Sequence, residues 1–126
     1  MNVRTLALAL SITVASAFSA LAHDVAKGPH GGQVVNDAGH HVELTTKGSD
    51  VVLYLTDGTD KPISSAKATG RIITHAGSKQ GAVELVAIEP NLMTTKLPGP
   101  VARGMKLVVS IRLSDGHHVK ARFVAP

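Results

Sequence analysis

The chain has 126 residues, 44% of them hydrophobic and 2% aromatic, with 13 Lys and Arg against 9 Asp and Glu and no cysteine. That length builds one small core, and the missing thiols exclude a disulfide framework, a thiolate zinc site, a cysteine nucleophile and a blue-copper centre. Phe18, Tyr54 and Phe123 are too few for a base-stacking platform, and Lys47, Lys61, Lys67, Lys79, Lys96, Lys106 and Lys120 stand singly, so they read as solvated strand faces and turns, and no nucleic-acid partner is expected.

Residues 1–22 read as a cleaved export signal: a single charge at Arg4, an apolar stretch from Leu6 to Val14, and the small-x-small site Ala20-Leu21-Ala22. The apolar stretch falls short of the roughly 20 residues a membrane-spanning helix needs, so the mature chain is expected to be soluble and periplasmic, with no membrane attachment. Residues 23–32, HDVAKGPHGG, lack periodicity and carry Gly and Pro, which reads as a flexible arm.

Residues 33–126 read as β structure throughout. Alternation predicts strands from Gln33 to Asn36, His40 to Thr46, Asp50 to Thr56, Lys67 to His75, Ala82 to Glu89, Leu92 to Leu97, Met105 to Leu113 and His117 to Val124. Turn chemistry separates them at Asp37-Ala38-Gly39, Lys47-Gly48-Ser49, Ala76-Gly77-Ser78, Pro90-Asn91 and Asp115-Gly116. Such short, evenly spaced strands suit an antiparallel β-sandwich or a small barrel, and the expectation taken forward is the immunoglobulin-like sandwich.

Histidine is the enriched chemical resource, with 7 in the chain. Gly39-His40-His41-Val42 and Gly116-His117-His118-Val119 open two strands with the same tetrad, and strand alternation sends one imidazole of each pair to either face. An even number of chain reversals between those strands places both pairs at one rim, and puts His75 at the opposite rim, where His23 and His30 could join it. Several imidazoles with a carboxylate such as Asp37, Glu43 or Asp115 suit copper(II) or zinc, and cleavage before His23 would give that residue a free amine able to chelate copper together with its ring. The candidate ligands are therefore His40, His41, His117, His118, His30 and His23. Taken alone, His75 reads as an ordinary exposed residue, Met105 as core although it and Met93 could ligate copper(I), and Asp57 to Asp60 as a plain turn rather than a calcium loop.

Gly28-Pro29-His30-Gly31-Gly32, together with Val42-Glu43-Leu44, Tyr54 and Lys61-Pro62, resembles the small N-terminal domain of periplasmic adaptor subunits of heavy-metal efflux systems of the resistance-nodulation-division class, and related stand-alone periplasmic metal-binding proteins. The similarity spans Gly28 to Pro62, and GPHGG is its distinctive part. It implies a periplasmic β-domain that binds or passes on metal ions, with His30 the position carried over and an efflux component as a partner. The helical hairpin and barrel of a full adaptor have no counterpart here, which leaves a free-standing role.

The expected function is thus a periplasmic metal-ion-binding protein for copper or zinc that buffers or delivers the ion. The alternative is an exported immunoglobulin-like structural or interaction module that docks a partner through a sheet edge, its histidines incidental. No Ser-His-Asp spacing or carboxylate pair stands out, so an enzyme is not expected.

Overall fold

Apolar residues at every second position produce the strands, and in the computed structural model, which describes residues 25–126, there are eight: β1 (Gln33–Asp37), β2 (His40–Lys47), β3 (Asp50–Asp57), β4 (Thr69–Ala76), β5 (Lys79–Ile88), β6 (Leu92–Lys96), β7 (Lys106–Arg112) and β8 (His118–Val124). The clearest cases are β7 and β8. Leu107, Val109 and Ile111 are buried against Phe123, Ala121 and Val119, their cross-strand partners, while the residues between them face outward.

All pairings are antiparallel, and the strands form one sheet in the order β1-β2-β3-β6-β5-β4-β7-β8. The expectation of an immunoglobulin-like sandwich is corrected here: the eight-stranded sheet curls until its two edges meet and nearly closes into a barrel. The reason lies in β5, which is ten residues long. Lys79 to Leu85 pair with β4 and Val86 to Ile88 pair with β6, so one strand carries the ladder across what would be the gap between the two layers of a sandwich.

The interior is filled by aliphatic side chains: Val42, Leu44, Leu53, Leu55, Ile72, Met93, Leu107, Val109 and Ile111 among them, with Phe123 as the aromatic member. Burial of this kind is the main stabilising term in a domain of this size. Two crossover loops stopper the ends. Between β3 and β4 the chain passes over one end with Ile63 and Ala68 against the core, and the fully buried Ser65 ties it down by donating from its backbone N to Pro90 O and from Oγ to Ile88 O. Between β6 and β7 it passes over the other end, where Leu97 N and Val101 N donate to Ser49 O and Gly48 O.

Closure at the seam is made by side chains. No ladder joins β1 to β8; instead Gln33 Nε2 donates to Val124 O at 2.8 Å, and Asp37 Oδ2 accepts from Lys120 N at 2.7 Å. These bonds occupy edge groups that would otherwise template pairing with another chain. Asp37→Ala is expected to speed amide exchange at Lys120 and along β1, leave β3, β4 and β7 protected, and cost about 1 kcal/mol. Unchanged exchange at Lys120 would show that the seam is held by other contacts.

Candidate functional site

The two histidine pairs lie at one rim, because β2 and β8 run in the same direction. The residues that meet are His40 and His117, whose ring centroids are 5.5 Å apart and tilted by 48°. The other two imidazoles diverge. His41 turns outward, where its Nδ1 lies 3.0 Å from Asp60 Oδ1, and His118 is exposed on the outer wall beside Arg112. His117 Nδ1 sits 2.9 Å from Asp115 Oδ2, and His40 Nδ1 is buried without a hydrogen-bond partner. Neither does His30 join His75: the former lies over β2 and β3, the latter ends β4, and β6 and β5 stand between. Residues 1–22 and His23 lie outside the described residues.

Among the described residues there is no group of three or more His, Cys, Asp or Glu side chains that could hold a metal ion. The copper or zinc reading and the histidine cluster are therefore corrected, and the physical cause is alternation itself. It splits each pair between two faces, so the rim presents only one imidazole from each strand. Each carboxylate considered as a further ligand is also engaged elsewhere: Asp37 by Lys120 N, Asp115 by His117 N at 2.9 Å and by the His117 ring, and Glu43 in the loop described next. Of the two methionines considered as copper(I) ligands, Met93 is fully buried and Met105 packs against the core.

The GPHGG stretch has a structural task. It turns back on itself through Gly31 N to Gly28 O at 3.0 Å and Gly28 N to Gly32 O at 2.9 Å, and covers the outer face of β2. Beneath it is Glu43, a carboxylate with a side chain only 5% exposed. Its Oε1 accepts from His30 N at 2.8 Å and Gly32 N at 3.0 Å, and His30 Nδ1 lies 2.8 Å from Oε2. Three N–H partners offset the cost of taking the carboxylate out of water. The His30 ring then stacks on Tyr54, the cross-strand neighbour of Glu43, at 3.6 Å and 6°. Glycine is required here by space: a Cβ on Gly28 would lie 2.2 Å from Glu43 Cδ, and one on Gly32 would lie 2.2 Å from the Leu44 carbonyl oxygen.

A different surface was invisible as a cluster in the sequence. The outer face of β4, β7 and β8 is built of four cross-strand rows: Thr69, Arg112 and His118; Arg71, Ser110 and Lys120; Ile73, Val108 and Arg122; and His75, Lys106 and Val124. Each row holds at least one exposed cation, and none of these three strands contains an Asp or Glu. Among the described residues, Arg71, Lys106, Arg112, Lys120 and Arg122 form no ion pair. Most acids lie elsewhere: Asp37, Glu43, Asp50, Asp57 and Asp60 fall on β1 to β3 and the turn that follows, and each bonds a nearby group, whereas Glu84 of β5 stands opposite Arg71 at the edge of the charged face without forming an ion pair with it. The signal that could have found this face was present, since Lys120 and Arg122, like Lys106 with Arg112, keep the two-residue parity of a strand surface. What the sequence lacked was the strand order that sets β4 beside β7.

Comparison with known families, with curated proteins and with solved structures returns no match. The metal-handling and efflux role attached to GPHGG is corrected on the structure, in which His30 and the glycines are committed to Glu43 and Tyr54. Among the described residues no helix is long and apolar enough to cross a membrane.

Two outcomes follow for these residues. Glu43→Ala removes the acceptor of two backbone N–H groups and one ring nitrogen, and is expected to lower stability by about 2 kcal/mol or more and to speed amide exchange at His30 and Gly32; retained protection there would show that the loop holds without the carboxylate. The second concerns acid. Asp115 is held below the usual aspartate range by the His117 backbone N–H and then by its ring. A lowered carboxylate stabilises the turn above its ordinary titration range and releases it only as pH falls through the lower folded value. The His117 amide resonance, followed by NMR, should therefore keep its bonded shift as pH enters the ordinary aspartate range and move only below it; movement within that range would contradict the assignment.

Proposed function

We propose that this chain is a non-catalytic interaction module, exported to the periplasm, whose outer wall docks another molecule. The observation that carries the reading is the unequal use of charge. The carboxylates on β1 to β3 are engaged by bonds inside the domain, whereas five cations on β4, β7 and β8 face outward and form no ion pair among the described residues, Arg71 included although Glu84 stands opposite it. Exposed, unpaired cations of one sign on one face contribute little to folding and favour association with a surface of opposite sign.

Other features support it. The barrel interior is packed with aliphatic side chains and its ends are stoppered, so contact falls to the outside. That outside is charged, where the wall of a membrane-spanning barrel would be apolar. His30, His41 and His117 are each tied to a neighbouring carboxylate. Export rests on residues 1–22, with their apolar stretch and Ala20-Leu21-Ala22 site.

In-cell photo-crosslinking tests the module. A photoreactive residue at Arg122, on the charged face, or at Val86, exposed on the opposite part of the wall, is introduced into the chain in an exporting bacterium. The expected result is a discrete adduct of defined mass in the periplasmic fraction from at least one position. A chain retained in the cytosol, or no adduct at either position, would overturn the reading.

A further inference from the structure

The charged face has a periodicity that selects its partner. Successive rows on β7 and its neighbours are two residues apart, which is about 7 Å along a strand, and the cations recur at that interval: Arg112 in the first row, Arg71 and Lys120 in the second, Arg122 in the third and Lys106 in the fourth. An extended polypeptide presents the side chains of one face at the same spacing. Between the cations the wall is apolar and indented. A cleft of about 480 Å³ runs from Val35 at the seam past Lys120 and Arg122 to Arg71, with Ile73 and Val108 partly buried in its floor. A second cleft, of about 770 Å³, adjoins it, sharing Val108 and Arg122 and reaching Lys106 and His75.

From this juxtaposition we infer that the β4-β7-β8 face binds an extended acidic segment of a partner protein, in which Asp or Glu at alternate positions meets Arg112, Arg71, Lys120, Arg122 and Lys106, and small apolar side chains enter the clefts over Ile73 and Val108. The inference rests on the module reading and adds the chemistry of the partner. Two other anionic surfaces fit less well. A nucleic-acid strand is held by base stacking on several aromatic side chains, and this face carries no Phe, Tyr or Trp, since Phe123 points inward. A bilayer needs only diffuse positive charge, and leaves the register and the apolar floor without a role. Arginine supplies much of the charge, which suits paired hydrogen bonding to carboxylates.

The test uses the purified chain and a short fluorescein-labelled peptide of alternating glutamate and valine, followed by fluorescence anisotropy. Saturable binding that weakens with added salt is expected, with little binding of the glutamine counterpart. Replacing Arg71, Lys120 and Arg122 together by Ser is expected to weaken binding at least about tenfold. The triple change Lys47→Ser, Lys61→Ser and Lys79→Ser removes equal charge elsewhere and is expected to stay within about twofold of the parent. Thermal melts of both variants check folding, and the outward position of every replaced residue predicts that both fold.

Equal loss in the two triple variants would overturn the inference, because net charge alone would then explain binding. So would equal binding of the glutamine peptide, or binding to phosphatidylglycerol vesicles with none to the acidic peptide. Failure with the peptide while the in-cell adduct persists counts against the partner chemistry alone, whereas peptide binding without any adduct counts against the module reading.

Discussion

The length of β5 is the constraint on which the rest of the molecule depends. A strand of ten residues bonds β4 along its first part and β6 along its last, and so joins a meander of β1, β2, β3 and β6 to the group of β4, β7 and β8 in a single curled sheet. Were β5 to end before Val86, the ladder would break there and two layers could slide against one another. Continuity instead fixes which strands neighbour which, and therefore which outward side chains share a face. It also brings the edges β1 and β8 together, where Gln33 and Asp37 close the seam by bonding backbone groups of β8.

Electrostatics divides the wall made in this way. On the β1 to β3 side, acids work as structural acceptors. Glu43 is the most buried of them, and the loop from Gly28 to Gly32 is shaped to supply its hydrogen bonds. Asp57 does similar work in the open, its Oδ1 accepting from Thr59 N, Thr59 Oγ1 and Lys61 N, which holds its carboxyl below the ordinary range. On the β4, β7 and β8 side the strands themselves carry no acid, and Glu84 of the neighbouring β5, opposite Arg71, forms no ion pair with it. A wall on which five exposed cations gather on three acid-free strands favours anionic contacts there.

The strands were legible because aliphatic alternation in β3, β7 and β8 matches burial residue by residue. Sheet continuity was not legible, since Lys79, Gln80 and Gly81 carry no apolar side chain and so gave no sign that β5 begins there. Counting chain reversals placed both His pairs at one rim, but alternation brings His40 to His117, while His41 and His118 face away. Glu43 shows the same limit: its parity says outward, and only the loop folded over it explains its burial. For the cations the missing quantity was again strand order, because Arg71 and Lys120 are far apart in sequence yet share one row, on either side of Ser110.

Interstrand proton contacts in a solution NMR spectrum test that order directly. The structure predicts contacts from Val86 to Thr94 and from Arg71 to Glu84, which carry the ladder through β5, together with Arg71 to Ser110 and Ser110 to Lys120, which set the charged row. Observing both sets would establish one continuous sheet with its cations on a common face. Contacts along β7 and β8 without those linking β5 to β6 would show separate layers and contradict the account.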